Sequence, residues 1–255
     1  MKYYKLIGVM TLLVFSFYLT DFITDLAINS NPLMQTIKNS SKNYACESVN
    51  ATIENNTIIP GIKGKIVNEM ESYLNMKDFG SFNTNYLIYD YIKPEISIED
   101  YKDKIIISGN KSLRQISILI KDNKDIMKYL KDRNIKYSKL ITSKDNIDYK
   151  ENINIESNKQ KFLDLDTLLK KRNIKKDICI VDYSNIEGCI EKKYYIVKPN
   201  IILKNSNITS SINLLDKGSI ILVDDNTTLD NFLVFLNATS NKDLKYVYLS
   251  EIIKE

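Results

Sequence analysis

Polar and apolar positions divide this chain into three kinds of stretch. Residues 6–19 (LIGVMTLLVFSFYL) are apolar without a charge, and Thr20, Phe22, Ile23 and Leu26 extend the run weakly to residue 26. Residues 29–57 are polar and rich in Asn and Ser, which predicts a stalk. Beyond them, short β-branched runs alternate with stretches whose apolar residues recur at helical spacing. A small preface comes first, with an apolar helix face of Ile66, Met70, Tyr73 and Leu74 and a strand over 86–92. Strands follow at 104–110 (KIIISGN), 113–120 (LRQISILI), 138–143 (SKLITS), 178–181, 194–197, 201–203, 219–223 and 246–249. One helix is predicted over 124–134, with Ile126, Met127 and Leu130 inward. A second covers 161–172, with Phe162, Leu165, Leu168 and Leu169 on one face. A third follows Asp224-Asp225-Asn226, where Leu229, Phe232, Leu233 and Leu236 share a face, and Ser250 is read as the cap of a last short helix.

Strand, helix, strand, helix implies parallel pairing, hence an α/β sheet or barrel with its chemistry at the carboxyl ends of the strands. Asp122 stands at the end of one such strand, and Asp224 and Asp225 at the end of another. The predicted organisation is a membrane segment at 1–27, a polar stalk at 28–57, a preface at 58–103 and an α/β domain at 104–255.

The first segment has Lys2 and Lys5 before the apolar run and Asp21 and Asp25 after it, which suits a signal peptide or an N-terminal anchor better than a core helix. An A-x-A-like cleavage site is lacking, because a cut after Ala27 places Asp25 three residues upstream. The expectation is an uncleaved single-pass anchor through residues 6–26, with the C-terminal domain outside the cytoplasm.

Composition then removes whole classes of function. The 255 residues are 44% hydrophobic and 27% charged, as in a globular protein. Thirty-six basic against 32 acidic residues leave a formal charge of +4, and no nucleic-acid partner is expected from it. The chain contains no His. That excludes Ser/His and Cys/His nucleophile systems and any imidazole-held metal centre. Seven Asn residues sit in N-x-S/T sequons, which in so Asn-rich a chain do not establish glycosylation. Cys179 and Cys189 can form a disulfide between neighbouring strands in an oxidising compartment or remain two buried thiols, and Cys46 is left over.

The stretches GSIILVDD (218–225) and KYVYLSEII (245–253) carry a resemblance to a known family. They resemble the C-terminal end of the polysaccharide deacetylases, the NodB-homology domain. There a strand G-S-I-I-L-L-H-D leads into a helix, and a Y-x-F-V-x-L-S-E-L-I strand and helix close the barrel. The family's I-S-L-T-F-D-D-G strand, which holds the catalytic base and a metal Asp, is matched by ISILIKDN (116–123). The pieces IPGIKGKIVN, YLNMKDFGSFN and KPEIS resemble a preface found ahead of some of these domains.

The resemblance implies a distorted, reduced (β/α) barrel. It also implies a zinc-type metal held by one Asp and two His, an Asp base and a His acid, acting on N-acetylated glycans. In this chain Lys121 stands at the base, Asp122 at the metal Asp and Asp224 at the catalytic His. NINIESN (152–158) replaces the His-x-x-x-His metal motif, so Glu156 is the nearest candidate oxygen ligand. Only Asp122 survives, and the expected cofactor is none. The expectation is a degenerate deacetylase-like protein of the cell envelope that binds glycan or an envelope protein. The alternative is a hydrolase with a carboxylate-only site of Asp122, Asp224 and Asp225 holding Mg²⁺ or Ca²⁺.

Overall fold

The computed structural model describes residues 2–147 and 149–255, with residues 2–6 described by their backbone. The side chains of Lys2 and Lys5 therefore lie outside the described residues. In chain order the elements are α1 (Lys2–Ser30), α2 (Pro32–Tyr44), β1 (Thr52–Glu54), β2 (Thr57–Ile59), β3 (Gly64–Val67), α3 (Glu69–Met76), β4 (Tyr89–Ile92), β5 (Ile105–Ile106), β6 (Gln115–Ile120), α4 (Lys124–Asp132), β7 (Ser138–Ile141) and β8 (Asn152–Asn154). They continue with α5 (Lys159–Lys171), β9 (Ile178–Ile180), α6 (Ile186–Glu191), β10 (Tyr195–Val197), β11 (Ile201–Leu203), α7 (Ile208–Leu214), β12 (Ile220–Val223), α8 (Leu229–Asn241), β13 (Lys245–Tyr246) and α9 (Leu249–Ile252).

Two compact units form. The smaller takes Lys63–Ile92 together with the chain up to Ser48. Its α1 is long and apolar enough over Ile7–Ser30 to cross a membrane, and none of that stretch is buried in the fold. At about 1.5 Å per residue it reaches beyond the roughly 30 Å of a bilayer's hydrocarbon core. The segment read as a stalk is not irregular. Asn31 accepts from Leu33 N–H at 2.9 Å and caps α2, and Pro32 occupies its first turn. Leu33 and Ile37 of α2 then bury against Val67, Met76 and Leu87. The stripe is easily overlooked because the rest of α2 is Asn, Ser and Lys.

The larger unit comprises Val49–Ile62 and Lys93–Glu255. One sheet runs β1-β2-β5-β10-β9; the other runs β11-β12-β6-β7-β8, with β13 also paired to β6. Among the described residues of this unit the strand ladders are parallel except β1–β2, and an isolated Val49–Ile62 bridge is also antiparallel. Three residues separate β10 from β11, and this short link carries the chain from the first sheet into the second. At the other seam, Ser184 Oγ donates to Asn154 O at 2.8 Å and Asn185 N–H to Glu156 O at 2.8 Å, bringing the chain after β9 against β8. The sheets enclose one apolar interior of Ile106, Leu119, Leu140, Ile153, Ile180, Val197 and Leu222. This is the α/β architecture that the resemblance implied, built as two sheets that share one interior.

Strand β6 shows why its run is apolar at almost every position. Leu119 faces the interior, whereas Ile116, Ile118 and Ile120 pack outward against Ile126 and Leu130 of α4 and Phe232 and Phe235 of α8. Both faces of a parallel strand are covered, so apolar side chains dominate it, with the buried Ser117 as the exception. Leu249, Ile252 and Ile253 of the terminal helix region join the interior cluster. Gly109 N–H donates to Gly218 O at 2.8 Å, and a Cβ on Gly218 (φ +82°) would stand 2.3 Å from Gly109 O. Glycine is required there for both space and conformation.

Several sequence expectations shift. Segments 49–62 and 93–103 belong to the larger unit, because the β1–β2 hairpin adds to β5. The last strand is only Lys245–Tyr246, and Tyr248 precedes the terminal helix. Ser250 lies inside that helix, and its hydroxyl bonds Glu151 instead of capping. Leu168 is 40% exposed, while Phe235, unremarked in the sequence, is fully buried.

Candidate functional site

The carboxyl ends of β6, β7, β8, β9 and β12 all lead into loops at one end of the larger unit. After β6 come Lys121, Asp122 and Asn123. Asn123 Oδ1 accepts from Ile126 N–H at 3.2 Å and caps α4, while its Nδ2 donates to Thr227 O at 2.8 Å and to Asp225 O at 3.3 Å. After β12, Asp224 N–H donates to Leu203 O at 3.0 Å, and the Asp224 carboxylate accepts from Asn226 N–H at 3.1 Å in an Asx turn. The Asp225 carboxylate accepts from the main-chain N–H of Asp122 at 3.3 Å. Strand ends far apart in sequence are thus tied at the mouth. Lys121 makes no ion pair with Asp224 among the described residues; a backbone N–H, not the lysine, meets the acidic pair.

Tyr183, half-buried against the interior cluster, follows β9. Burial first, then the charges of Asp225, Asp224 and Asp182, push its phenol above the ordinary tyrosine value. Tyr183 thus feels the negative charge that the loops after β9 and β12 carry. Sequence reading missed Tyr183, and among 17 tyrosines nothing local distinguishes it.

Glu156 is buried at the end of β8 and accepts from Ser143 N–H at 2.7 Å and from the Ser143 hydroxyl. That hydroxyl bond holds its carboxyl below the usual glutamate value against the opposing effect of burial. The residue fastens the loop after β7 to the loop after β8, both Ser143 bonds going to its Oε1. Among the described residues no three Asp, Glu or Cys side chains gather where a metal ion could be held. With no imidazole in the chain, the residues present do not fit the Asp/His/His zinc site of the resemblance. Neither do Asp122, Asp224 and Asp225 make a carboxylate cage.

Cys179 of β9 and Cys189 of α6 are joined in a disulfide, which binds strand to helix and not strand to strand. Cys46 is exposed and unpaired. Near the bridge, Tyr194 OH donates to the buried Asp166 at 2.8 Å, and Lys175 Nζ lies 3.6 Å from the same carboxylate. Burial pushes the Tyr194 phenol up to about 12. Tyr194 and Asp166 are buried, and this contact ties α5 to the chain entering β10.

No protein-family model matches the chain. A CE4 family pseudoenzyme from Bacillus anthracis superposes with a TM-score of 0.58 at 16% identity, covering 88% of this chain and 95% of that one. The chain has the CE4 fold. A mutant of the same pseudoenzyme with restored enzymatic activity matches equally well, over 98% of its length. In sequence, the chain is 30% identical over 93 residues to the uncharacterized protein YlxY of Bacillus subtilis (strain 168). That match spans 36% of this chain and 29% of YlxY. The CE4 fold at this identity establishes architecture, and the polysaccharide deacetylase resemblance read from GSIILVDD and ISILIKDN agrees with it.

Proposed function

We propose that this chain is a catalytically degenerate, deacetylase-like protein, anchored in the membrane by α1, that binds glycan at the mouth of its larger unit. One observation carries the reading. At the strand end where the deacetylases place their catalytic His, Asp224 is spent on an Asx turn, and Lys121 stands where their base belongs. A carboxylate committed to its own backbone is no general acid, and no His exists elsewhere to replace it. What remains suits recognition: Tyr183 offers a half-buried ring, and Asp182 and Asp225 offer acceptors for sugar hydroxyls.

The test uses the full chain in detergent with N-acetylglucosamine oligomers. The expected result is binding without acetate release in the presence of zinc or cobalt, with binding lost in Tyr183→Ala. Metal-stimulated acetate release abolished by Asp122→Ala would overturn the reading, as would oligomer binding indifferent to Tyr183→Ala.

A further inference from the structure

The amino ends of the strands carry a second feature that the deacetylase-like reading does not use. Tyr137 and Ser138 open β7, Tyr149 and Lys150 lead into β8, and Tyr248 stands ahead of α9. Tyr149 stacks on the buried Tyr137, ring centroids 4.2 Å apart and planes 17° apart, and meets Tyr248 edge-on at 6.3 Å. Lys136 Nζ sits 5.1 Å from the Tyr248 ring centroid and is held by both Glu251 oxygens at 2.9 Å. Lys131, Asn134, Lys136, Tyr149, Lys150 and Tyr248 line a depression of about 230 Å³. That is small for a drug-sized ligand and suited to a single ring.

Two properties give the depression a chemistry. Its aromatic wall is rigid before any ligand arrives, because Tyr149 is backed by Tyr137 and flanked by Tyr248. Burial, with Tyr248 as hydrogen-bond partner, holds the Tyr149 phenol well above its ordinary value, so it stays a neutral hydroxyl at any physiological pH. Among the described residues the charged side chains that line the depression are lysines, and the Glu251 carboxylate beside it is paired to one of them, Lys136. Lys131 and Lys150 project there, and none of the described residues lining the depression is acidic. Lys136, already committed to Glu251, orients Tyr248 through a cation–π contact and leaves the other two lysines for a ligand.

We propose that this depression is a binding site for an anionic sugar residue, a uronic acid or a sugar phosphate. The pyranose C–H face would lie on the Tyr149–Tyr248 wall, with its carboxylate or phosphate between Lys131 and Lys150. A ring with one apolar face and one anionic edge matches both properties, whereas a neutral sugar leaves the lysines unused and a free anion leaves the aromatic wall unused. The site lies at the opposite strand ends from Asp122, Asp225 and Tyr183, and it stands or falls independently of the glycan-binding reading of the mouth.

The experiment is a calorimetric titration of the full chain in detergent with glucuronic acid, glucose 6-phosphate, glucose and inorganic phosphate. Both anionic sugars are expected to bind, with glucose and inorganic phosphate each weaker by about tenfold, the worth of one charged or stacking contact. Lys131→Ala/Lys150→Ala, which alters two exposed side chains and leaves the core intact, is expected to weaken glucuronic acid about tenfold at unchanged Tm. Tyr149→Ala should abolish binding, and Tyr183→Ala at the mouth should leave it unaltered. Failure of both anionic sugars to bind at tens of millimolar would overturn the proposal. So would equal binding by the double lysine variant, or inorganic phosphate binding as tightly as glucose 6-phosphate.

Discussion

The main-chain N–H of Asp122 points at Oδ1 of Asp225, 3.3 Å away. These residues end β6 and β12, neighbouring parallel strands whose register pairs Ile120 with Val223. In a deacetylase the same two strand ends present catalytic groups to substrate. Here one supplies a backbone donor and the other an exposed carboxylate, and the contact serves to close a loop.

Because no hydrogen bond or ion pair joins Lys121 and Asp224 among the described residues, their substitutions should be energetically independent. Lys121→Met, Asp224→Asn and the double variant are expected to shift stability additively, to within about 0.5 kcal/mol. Asn123→Ala, which removes the α4 cap and the bond to Thr227 O, should cost more, about 1–2 kcal/mol. Thermal melts of the four variants measure both. A coupling energy above about 1 kcal/mol between Lys121 and Asp224, twice the scatter ordinary for independent sites, would contradict the geometry.

Glu151 should be the costliest acidic residue to lose. Its carboxylate is 1% exposed and accepts from Ser138 Oγ at 2.7 Å, from Ser250 N–H at 3.1 Å and from the Ser250 hydroxyl, with Lys176 Nζ 3.7 Å away. Ser138 Oγ in turn accepts from Leu249 N–H at 2.8 Å. Glu151→Ala strands several buried donors where α9 meets β7, and a loss of about 3 kcal/mol is expected in urea unfolding. Glu151→Gln should recover part of it. A loss below about 1 kcal/mol, the net worth of a single ordinary hydrogen bond, would show that α9 does not depend on this carboxylate.

The Ser143–Glu156 clamp predicts a pH dependence. Its folded-state carboxyl is held below the ordinary value of 4.5. Stability from this bond is therefore fully present above that value and drains away as pH falls through the lower, folded one. The stability difference between the parent chain and Ser143→Ala should be constant from neutral pH down to mildly acidic conditions, then shrink towards zero in stronger acid. A difference that grows on acidification would mean that Glu156 is protonated in the folded state.

The bridge between Cys179 and Cys189 closes a loop of sequence separation 10. In the chain-entropy account a loop of that length is worth about 2–3 kcal/mol. Cys179→Ala/Cys189→Ala should lose roughly that much, and dithiothreitol should produce the same change in the parent chain once the protein is unfolded enough to expose the buried sulfurs. An unchanged Tm in the double variant would show that β9 and α6 hold together without the bridge.

Much of this was legible in the chain itself. The period of three to four at Ile126 and Leu130, and at Phe232 and Leu236, fixed α4 and α8, because a helix that covers a sheet needs an apolar stripe. The Ile- and Leu-rich stretch 113–120 marked a strand, and the structure covers both of its faces. The absence of His rules out an imidazole-held metal on composition alone. Local pattern failed where stability comes from distant partners. The helix α2 reads as polar because three buried residues suffice to dock it, and Ser250 reads as a cap because its true acceptor, Glu151, is 99 residues away. Which acids meet at the mouth, that Lys121 stays out of that contact, that Glu156 is bonded to Ser143, and that Tyr137, Tyr149 and Tyr248 converge at the far end were all decided by the packing of the sheets. Strand register and sheet packing bring together residues whose sequence separation carries no trace of their proximity.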